Sequence, residues 1–303
     1  MSRTILLFID GVGIGKKDSD YNPFFKYKFK IFTDLFGEVP SLDNPIIINN
    51  KGFIFPVDAK MGVEGFPQSG TGQTSIFCGI NAPKFVGKHF GPYPYSTLIP
   101  IIKEQNIFIE FIRRGKKVFF INAYPQVFFD YINSGKSRLS VTSMSSSLSG
   151  LKFNSIEDVW EGRALTAEIT NERWNSRLGY NLPILKPAEA ARRLLKIASE
   201  NDLIVYEYYQ TDHLGHGRFE GNLEKTLSVL DDFLFTLFTE ADQEKYSILL
   251  CSDHGNIEDL SIKTHTLNPS LAISYGKHAS FLFQNIKDLS DIKNCLLEIQ
   301  SIT

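Results

Sequence analysis

At 303 residues the chain can form one large domain or two smaller ones, with a substantial buried core. A hydrophobic fraction of 43%, a charged fraction of 22% and a net charge of -2 are ordinary for a globular protein, and they give no electrostatic case for nucleic acid or an anionic membrane as partner. Three cysteines, Cys78, Cys251 and Cys295, argue against a disulfide framework and fit a reducing cytoplasm.

The first predicted element is Ile5 to Ile9, a continuous apolar run of the kind expected for a strand buried on both faces. It is about half the length of a signal-peptide core and ends in an acidic residue, so it does not read as a leader. No stretch approaches the roughly 18 to 20 apolar residues of a membrane span. The expected location is therefore cytoplasmic. The strand runs into Asp10-Gly11-Val12-Gly13-Ile14-Gly15, whose spacing is not the G-x-G-x-x-G of a dinucleotide loop. Gln68 to Thr74 is a Gly-rich turn leading into an apolar helical run that ends at Gly79.

Further along, Arg113 to Lys117 reads as a solvated helix end. Lys117 to Asn122 reads as a strand, followed by a helix over 125–134. Residues 137–186 read as a small insertion or lid over the sheet edge or the site mouth. Within it Met144 and Leu148, at i and i+4, favour a short helix over a flexible serine linker. A helical pattern from Pro187 to Glu200 leads to a strand at Leu203 to Tyr208. Another, from Leu223 to Thr239, leads to a strand at Tyr246 to Cys251. Ser280 to Phe283 reads as a further strand and Ser290 to Ile299 as the last helix. Strands alternating with helices predict an α/β fold, a mostly parallel sheet with helices on both faces, in a single domain over residues 1–303.

Polar motifs fall just beyond three of these strands, where open α/β sheets place their ligands. Asp10 follows the first, Asp212-His213-Leu214-Gly215-His216 the third, and Ser252-Asp253-His254-Gly255-Asn256 the fourth, with Thr264-His265-Thr266 soon after. A lone Asp after a strand is most often a helix cap or turn residue. Yet four of the six histidines, His213, His216, His254 and His265, lie inside these motifs. Mixed Asp and His ligation suits Zn²⁺ or Mn²⁺, with Mg²⁺ admissible at one position. Gly215 is expected to turn the chain so that Asp212 and His216 reach one ion. His213 is not read as a ligand, and His89 and His278 are read as structural or peripheral. Ser69, Thr71 and Thr74 are plausible N-caps, but a hydroxyl at a helix start can also ligate a metal and act as nucleophile, where helix amides favour an anionic phosphate.

This set of motifs resembles the alkaline phosphatase superfamily, and within it the cofactor-independent phosphoglycerate mutase and phosphopentomutase branch. The resemblance rests on the motifs at both ends of the chain and the α/β order between them. It implies an alkaline phosphatase-like α/β/α fold and a two-metal phosphoryl-transfer site for a small phosphorylated substrate. By the family pattern, Asp10, Ser69, Asp253 and His254 would hold one ion, and Asp212, His216 and His265 the other. Ser69, first residue of S-x-x-G, would be the phosphorylated nucleophile, with Thr71 in reserve.

Two departures matter. Gln73 stands where the mutases usually carry His. Only Lys84 to Thr97 separates the nucleophile helix from the helix that leads to Lys117, which leaves no room for the mutases' large cap domain. That cap supplies arginines that hold the substrate while phosphate returns to it, so water is the expected acceptor here. Arg163, Arg173 and Arg177 in the 137–186 insertion are candidate phosphate contacts. The expected activity is a metal-dependent phosphohydrolase acting through phosphoserine. A phosphomutase, a phosphodiesterase or a non-catalytic metal-binding protein are the alternatives. Sulfatase chemistry is disfavoured because C/S-x-P-x-R is absent after Ser69. The sequence leaves the oligomeric state open.

Overall fold

The protein is described by a computed structural model covering residues 3–218 and 221–302. Its strands are β1 (Arg3–Ile9), β2 (Ile47–Ile48), β3 (Gly52–Val57), β4 (Val118–Phe120), β5 (Leu203–Tyr208), β6 (Tyr246–Cys251) and β7 (Ser270–Gly276). Among the described residues they form one seven-stranded sheet in the order β2-β3-β7-β6-β1-β5-β4. β1 pairs in parallel with β5 on one side and β6 on the other, and β4 pairs in parallel with β5. β7, β3 and β2 extend the sheet as antiparallel strands. The parallel heart is the expected α/β architecture.

Alternation along β1 shows why its run is uninterrupted. Ile5, Leu7 and Ile9 enter the core on one face, and Leu6 and Phe8 enter the core on the other. A strand covered on both sides has no polar face to show. The first face is covered by helices Pro187–Ala198 and Leu223–Glu240. The second is covered by Ser69–Cys78, Ile99–Gln105, Ile107–Arg113 and Asp291–Glu298.

One expected strand is corrected. Ser280 to Phe283 lies in a helix, Ala279–Asn285, and the strand is β7 just before it. A run of four apolar residues fits either period, so periodicity alone could not separate them. β7 itself carries two buried serines; the Ser274 hydroxyl donates to the Ala279 carbonyl at 2.8 Å. Strands β2 and β3 were not legible either, being short and interrupted by Pro56.

The segment 137–186 has two characters. Its first helix, Val141–Leu148, is the short helix that Met144 and Leu148 suggested; it packs on the Ser69 helix and buries Val141 and Met144 in the main core. The remainder carries helices Ile156–Trp160 and Glu172–Leu178 and shares a small separate cluster, Ala123, Val159, Ala164, Trp174 and Leu182. The three cysteines are buried free thiols, and burial pushes Cys78 and Cys295 up to about 12. Among the described residues no helix is long and apolar enough to cross a membrane.

One buried carboxylate ties together two elements on the first face. Asp231, on the helix Leu223–Glu240, accepts the Lys30 N–H at 2.7 Å and the Ile31 N–H at 3.0 Å, where a π-helical turn, Ile31–Phe36, begins. Asp231→Ala strands two backbone donors at a buried position. It is expected to lower the unfolding free energy by about 2 kcal/mol or more, read from urea denaturation.

Candidate metal centre

The site lies beyond the carboxyl ends of the adjacent strands β5, β1 and β6. Asp10 follows β1, Asp212 follows β5, and Asp253 and His254 follow β6. Asp212 sits in a short helix, Gln210–Gly215, with His216 as its C-cap residue. The expected turn at Gly215 is therefore helical, and i, i+4 spacing puts both side chains on one face. Gly215 is needed for space: a Cβ there would lie 2.3 Å from the Asn256 side-chain oxygen.

The seven residues expected as ligands are brought together. His254 Nε2 is 3.0 Å from Ser69 Oγ, 3.4 Å from Asp10 Oδ1 and 3.5 Å from Asp253 Oδ2. Asp212 Oδ1 is 3.4 Å from both His216 Nε2 and His265 Nε2, which are 3.1 Å apart. Asp212, His216 and His265 each offer an atom within 4.8 Å of the others, and so do Asp10, Asp212 and His254. Asp212 belongs to both sets, so it borders both positions and does not serve only the His216 side.

The histidine hydrogen bonds define the ring orientation. His254 Nδ1 faces the Gly255 carbonyl at 3.4 Å, His216 Nδ1 the Lys263 carbonyl at 2.8 Å, and His265 Nδ1 the Pro67 carbonyl at 2.7 Å. A carbonyl can only accept, so each Nδ1 carries hydrogen and each Nε2 turns inward. Inward lone pairs facing carboxylate oxygens repel one another unless a cation or proton lies between. Asp10 Oδ1 is buried without a hydrogen-bond partner. Ser69, three carboxylates and three imidazoles thus form a donor set that fits two divalent ions sharing Asp212.

The electrostatics agree. Burial, with Asp253 and Asp212 nearby, pushes the Asp10 carboxyl well above the usual range. Burial lowers His254 below its ordinary value, against the pull of Asp253. Burial also works against ionised Asp212, but the hydrogen bond from His265, the charge of His254 and the hydrogen bond from Asn256 hold its carboxyl below the usual range. Burial would lower His265 too, yet its bonds to Asp212 and Pro67 hold it above its ordinary value, a proton standing where a cation fits.

Ser69 opens a ten-residue helix whose residues are all buried. The helix can lie this deep because its small polar side chains bond internally. Thr74 Oγ1 donates to the Gly70 carbonyl at 2.6 Å and Ser75 Oγ to the Thr71 carbonyl at 3.0 Å. Gly72 lets it touch the metal loop: a Cβ there would meet the Asp253 carbonyl oxygen at 2.9 Å. Thr71 is turned away, donating to the Gln68 carbonyl at 3.2 Å and accepting the Phe90 N–H at 3.2 Å. Gln73 Nε2 approaches Asp10 Oδ2 at 3.4 Å and Asp253 Oδ2 at 3.5 Å.

Other calls on candidate residues divide. Arg163 is paired with Asp158 and Glu161 on the surface and does not line the site cavity. Arg173 and Arg177 do line it. His213 lines the cavity outside both ligand sets, and burial lowers it. His89 meets the Val63 carbonyl at 3.3 Å, and His278 meets the Ser247 hydroxyl at 2.8 Å, both away from the site.

Three residues escaped the sequence reading. Glu258, 1% exposed, accepts the Gly13 N–H at 2.9 Å, the Asn256 N–H at 2.7 Å, the Thr266 hydroxyl at 2.5 Å and the Asn268 amide at 3.0 Å. One carboxylate thereby ties the Asp10 loop, the Asp253 loop and the His265 segment together. Asn256 donates to Asp212 Oδ1 at 2.6 Å. Glu207 lines the cavity, and burial pushes it up to about 7. Its signal was present: an acidic residue inside an otherwise apolar, buried strand.

A family model described as the Metalloenzyme superfamily matches residues 2–302. The chain belongs to this superfamily of metal-dependent phosphoryl-transfer enzymes, the class that its fold and site define. It is 30% identical over 93 residues to the 2,3-bisphosphoglycerate-independent phosphoglycerate mutase of Mycoplasmoides gallisepticum, a match covering 28% of this chain and 18% of that enzyme. It is 31% identical over 116 residues to the enzyme of that name from Helicobacter acinonychis, covering 36% of this chain and 23% of that one. The matches thus span less than a quarter of either mutase. Among solved structures, the alkaline phosphatase of the Antarctic bacterium TAB5 superposes with a TM-score of 0.53 at 13% identity, covering 99% of this chain and 98% of that one. The PH0037 protein of Pyrococcus horikoshii superposes with a TM-score of 0.50 at 13% identity, covering 91% and 85%. At such identity the likeness is one of fold.

Two outcomes follow. Stripping divalent ions with a chelator is expected to lower Tm, and adding back Mn²⁺ or Zn²⁺ to restore it, because ions that bind only the folded state stabilise it. Glu258→Gln touches no ligand but puts an amide donor among four donors. Metal affinity is expected to fall about 10- to 100-fold, measured by competition with a chelating dye, while the far-ultraviolet dichroism spectrum is kept.

Proposed function

We propose that this protein hydrolyses phosphate monoesters through a phosphoserine at Ser69. The observation that carries this reading is the placement of Ser69 Oγ. It opens a buried helix, borders the site cavity and lies 3.0 Å from His254 Nε2. When bound, the two divalent ions would acidify the serine hydroxyl and neutralise charge on the transferring phosphoryl group.

Asp10, Asp253 and His254 would hold the ion beside Ser69, and His216 and His265 the second, with Asp212 between the two. Ser69 Oγ forms a bond to phosphorus as the ester P–O bond breaks, and the proton lost by the serine hydroxyl is passed through water to the departing alkoxide. The first amides of the Ser69 helix face the phosphoryl oxygens and favour their charge. In the second half water adds to phosphorus, the serine oxygen leaves, and inorganic phosphate is released. Water is the acceptor because residues 79–117 contain only short helices and loops, with no second domain to retain the alcohol. The part of 137–186 that overlies the cavity serves as a small lid.

A phosphomutase is the second reading. Arg173 and Arg177 on the cavity wall favour it, since they could hold a substrate while phosphate returned to it.

Ser69→Ala is expected to lower metal-dependent release of phosphate from an aryl monoester by at least about three orders of magnitude, with metal content near that of the wild type. Unchanged turnover would exclude Ser69 as nucleophile. With 3-phosphoglycerate, hydrolysis gives free phosphate, whereas a mutase gives the 2-phosphate isomer without phosphate release; phosphorus NMR separates the two.

A further inference from the structure

Single apolar side chains facing water are common and need no explanation. Here four of those on this protein share one place. Tyr93, Val127, Leu178 and Tyr209, exposed by 39%, 62%, 44% and 41%, all line the cavity that contains Ser69 and Asp10. The helix Gln126–Asn133 contributes part of this wall. Its Val127, Phe128 and Tyr131 border the cavity, and none of its residues is buried. An amphipathic helix ordinarily turns its apolar stripe to a core. This one turns part of its stripe to an open cavity leading to the nucleophile. Tyr124 backs it, stacked on Phe128 with ring centroids 3.9 Å apart and planes at 21°.

Two further features narrow the ligand. The cavity holds about 850 Å³, toward the upper end of the about 300–1,000 Å³ usual for small-molecule sites. Arginines share the wall with the rings: Arg138 lies with its guanidinium 5.5 Å from the Tyr93 ring centroid, and Arg218 also lines the cavity. Aromatic faces and guanidinium planes both stack on flat π-systems. Asn122, Ser140 and Ser143 elsewhere on the lining could meet hydroxyls, but against its aromatic part a polyhydroxylated leaving group would lose water without a partner. An alkyl chain would make no use of guanidinium planes.

We propose that the esters taken by this site carry an aromatic ring system on the leaving group, an aryl or nucleobase group, lying against the wall of Tyr209, Phe128 and Trp174 while the phosphate reaches Ser69. This rests on the phosphomonoester reading above and names its substrate class.

The test reads binding apart from turnover. Metal-loaded Ser69→Ala protein is titrated by calorimetry with adenosine 5′-monophosphate, phenyl phosphate, ribose 5-phosphate and hexyl phosphate. The chain has two tryptophans, and Trp160 lies outside the cavity, so a Trp160→Phe background makes Trp174 fluorescence a second readout. The two ring-bearing esters are expected to bind at least about tenfold tighter than ribose 5-phosphate and to quench Trp174. Tyr209→Ala, at an exposed position, and Phe128→Ala are expected to collapse that ratio. Ribose 5-phosphate or hexyl phosphate binding as tightly as the ring-bearing esters would overturn the aromatic wall alone. Binding of none of the four would overturn both the wall and the phosphoester reading beneath it. A preference for one ring-bearing ester over the other would tell a nucleobase from a simple aryl group.

Discussion

Three carboxylates converging beyond three adjacent strands are the constraint on which the rest of this structure depends. Asp10, Asp212 and Asp253 reach one region, and all three neighbouring imidazoles lie within 3.5 Å of one of their oxygens: His254 beside Asp10 and Asp253, His216 and His265 beside Asp212. Like charges this close and this buried are costly unless opposite charge lies between them. The unpartnered Asp10 oxygen and the inward Nε2 atoms say where that charge belongs. With two dications present, the site keeps a surplus of positive charge, which suits a phosphate dianion.

Holding such a site requires loops that are stiffer than loops usually are. Parallel strands bring the motifs side by side, since each ends at the same edge of the sheet. Glu258 then binds three of the loops to one another through buried hydrogen bonds. Backbone carbonyls at Lys263, Gly255 and Pro67 orient the three rings. Gly72 and Gly215 allow the close approach of helix to loop that a side chain would block. Metal chemistry of this kind is therefore set as much by residues that never touch an ion as by the ligands.

The cavity beyond the nucleophile belongs to a different part of the chain. Much of its wall comes from the helix after β4, the 90–95 loop and the segment around Trp174, which supply no proposed ligand; Tyr209, by contrast, adjoins the helix that carries Asp212.

Much of the candidate centre was legible in the sequence because its proposed ligands fall in short motifs just after apolar runs. Asp10, Ser69, Asp212, His216, Asp253, His254 and His265 could each be named from a few residues of context, and the parallel strands from runs apolar on both faces. The antiparallel extension was not legible. β7 carries serines whose partners lie elsewhere in the fold, and four apolar residues at 280–283 suit either period. The sharing of Asp212 between two positions, the four-way role of Glu258 and the choice of Ser69 over Thr71 depend on distances between segments far apart in the chain. So does the aromatic wall, where side chains that read as core residues face a cavity. Local sequence determines which groups can bind a metal or start a helix. Only tertiary packing decides which groups meet, because hydrogen bonding and charge act over a few ångströms in space whatever the separation along the chain.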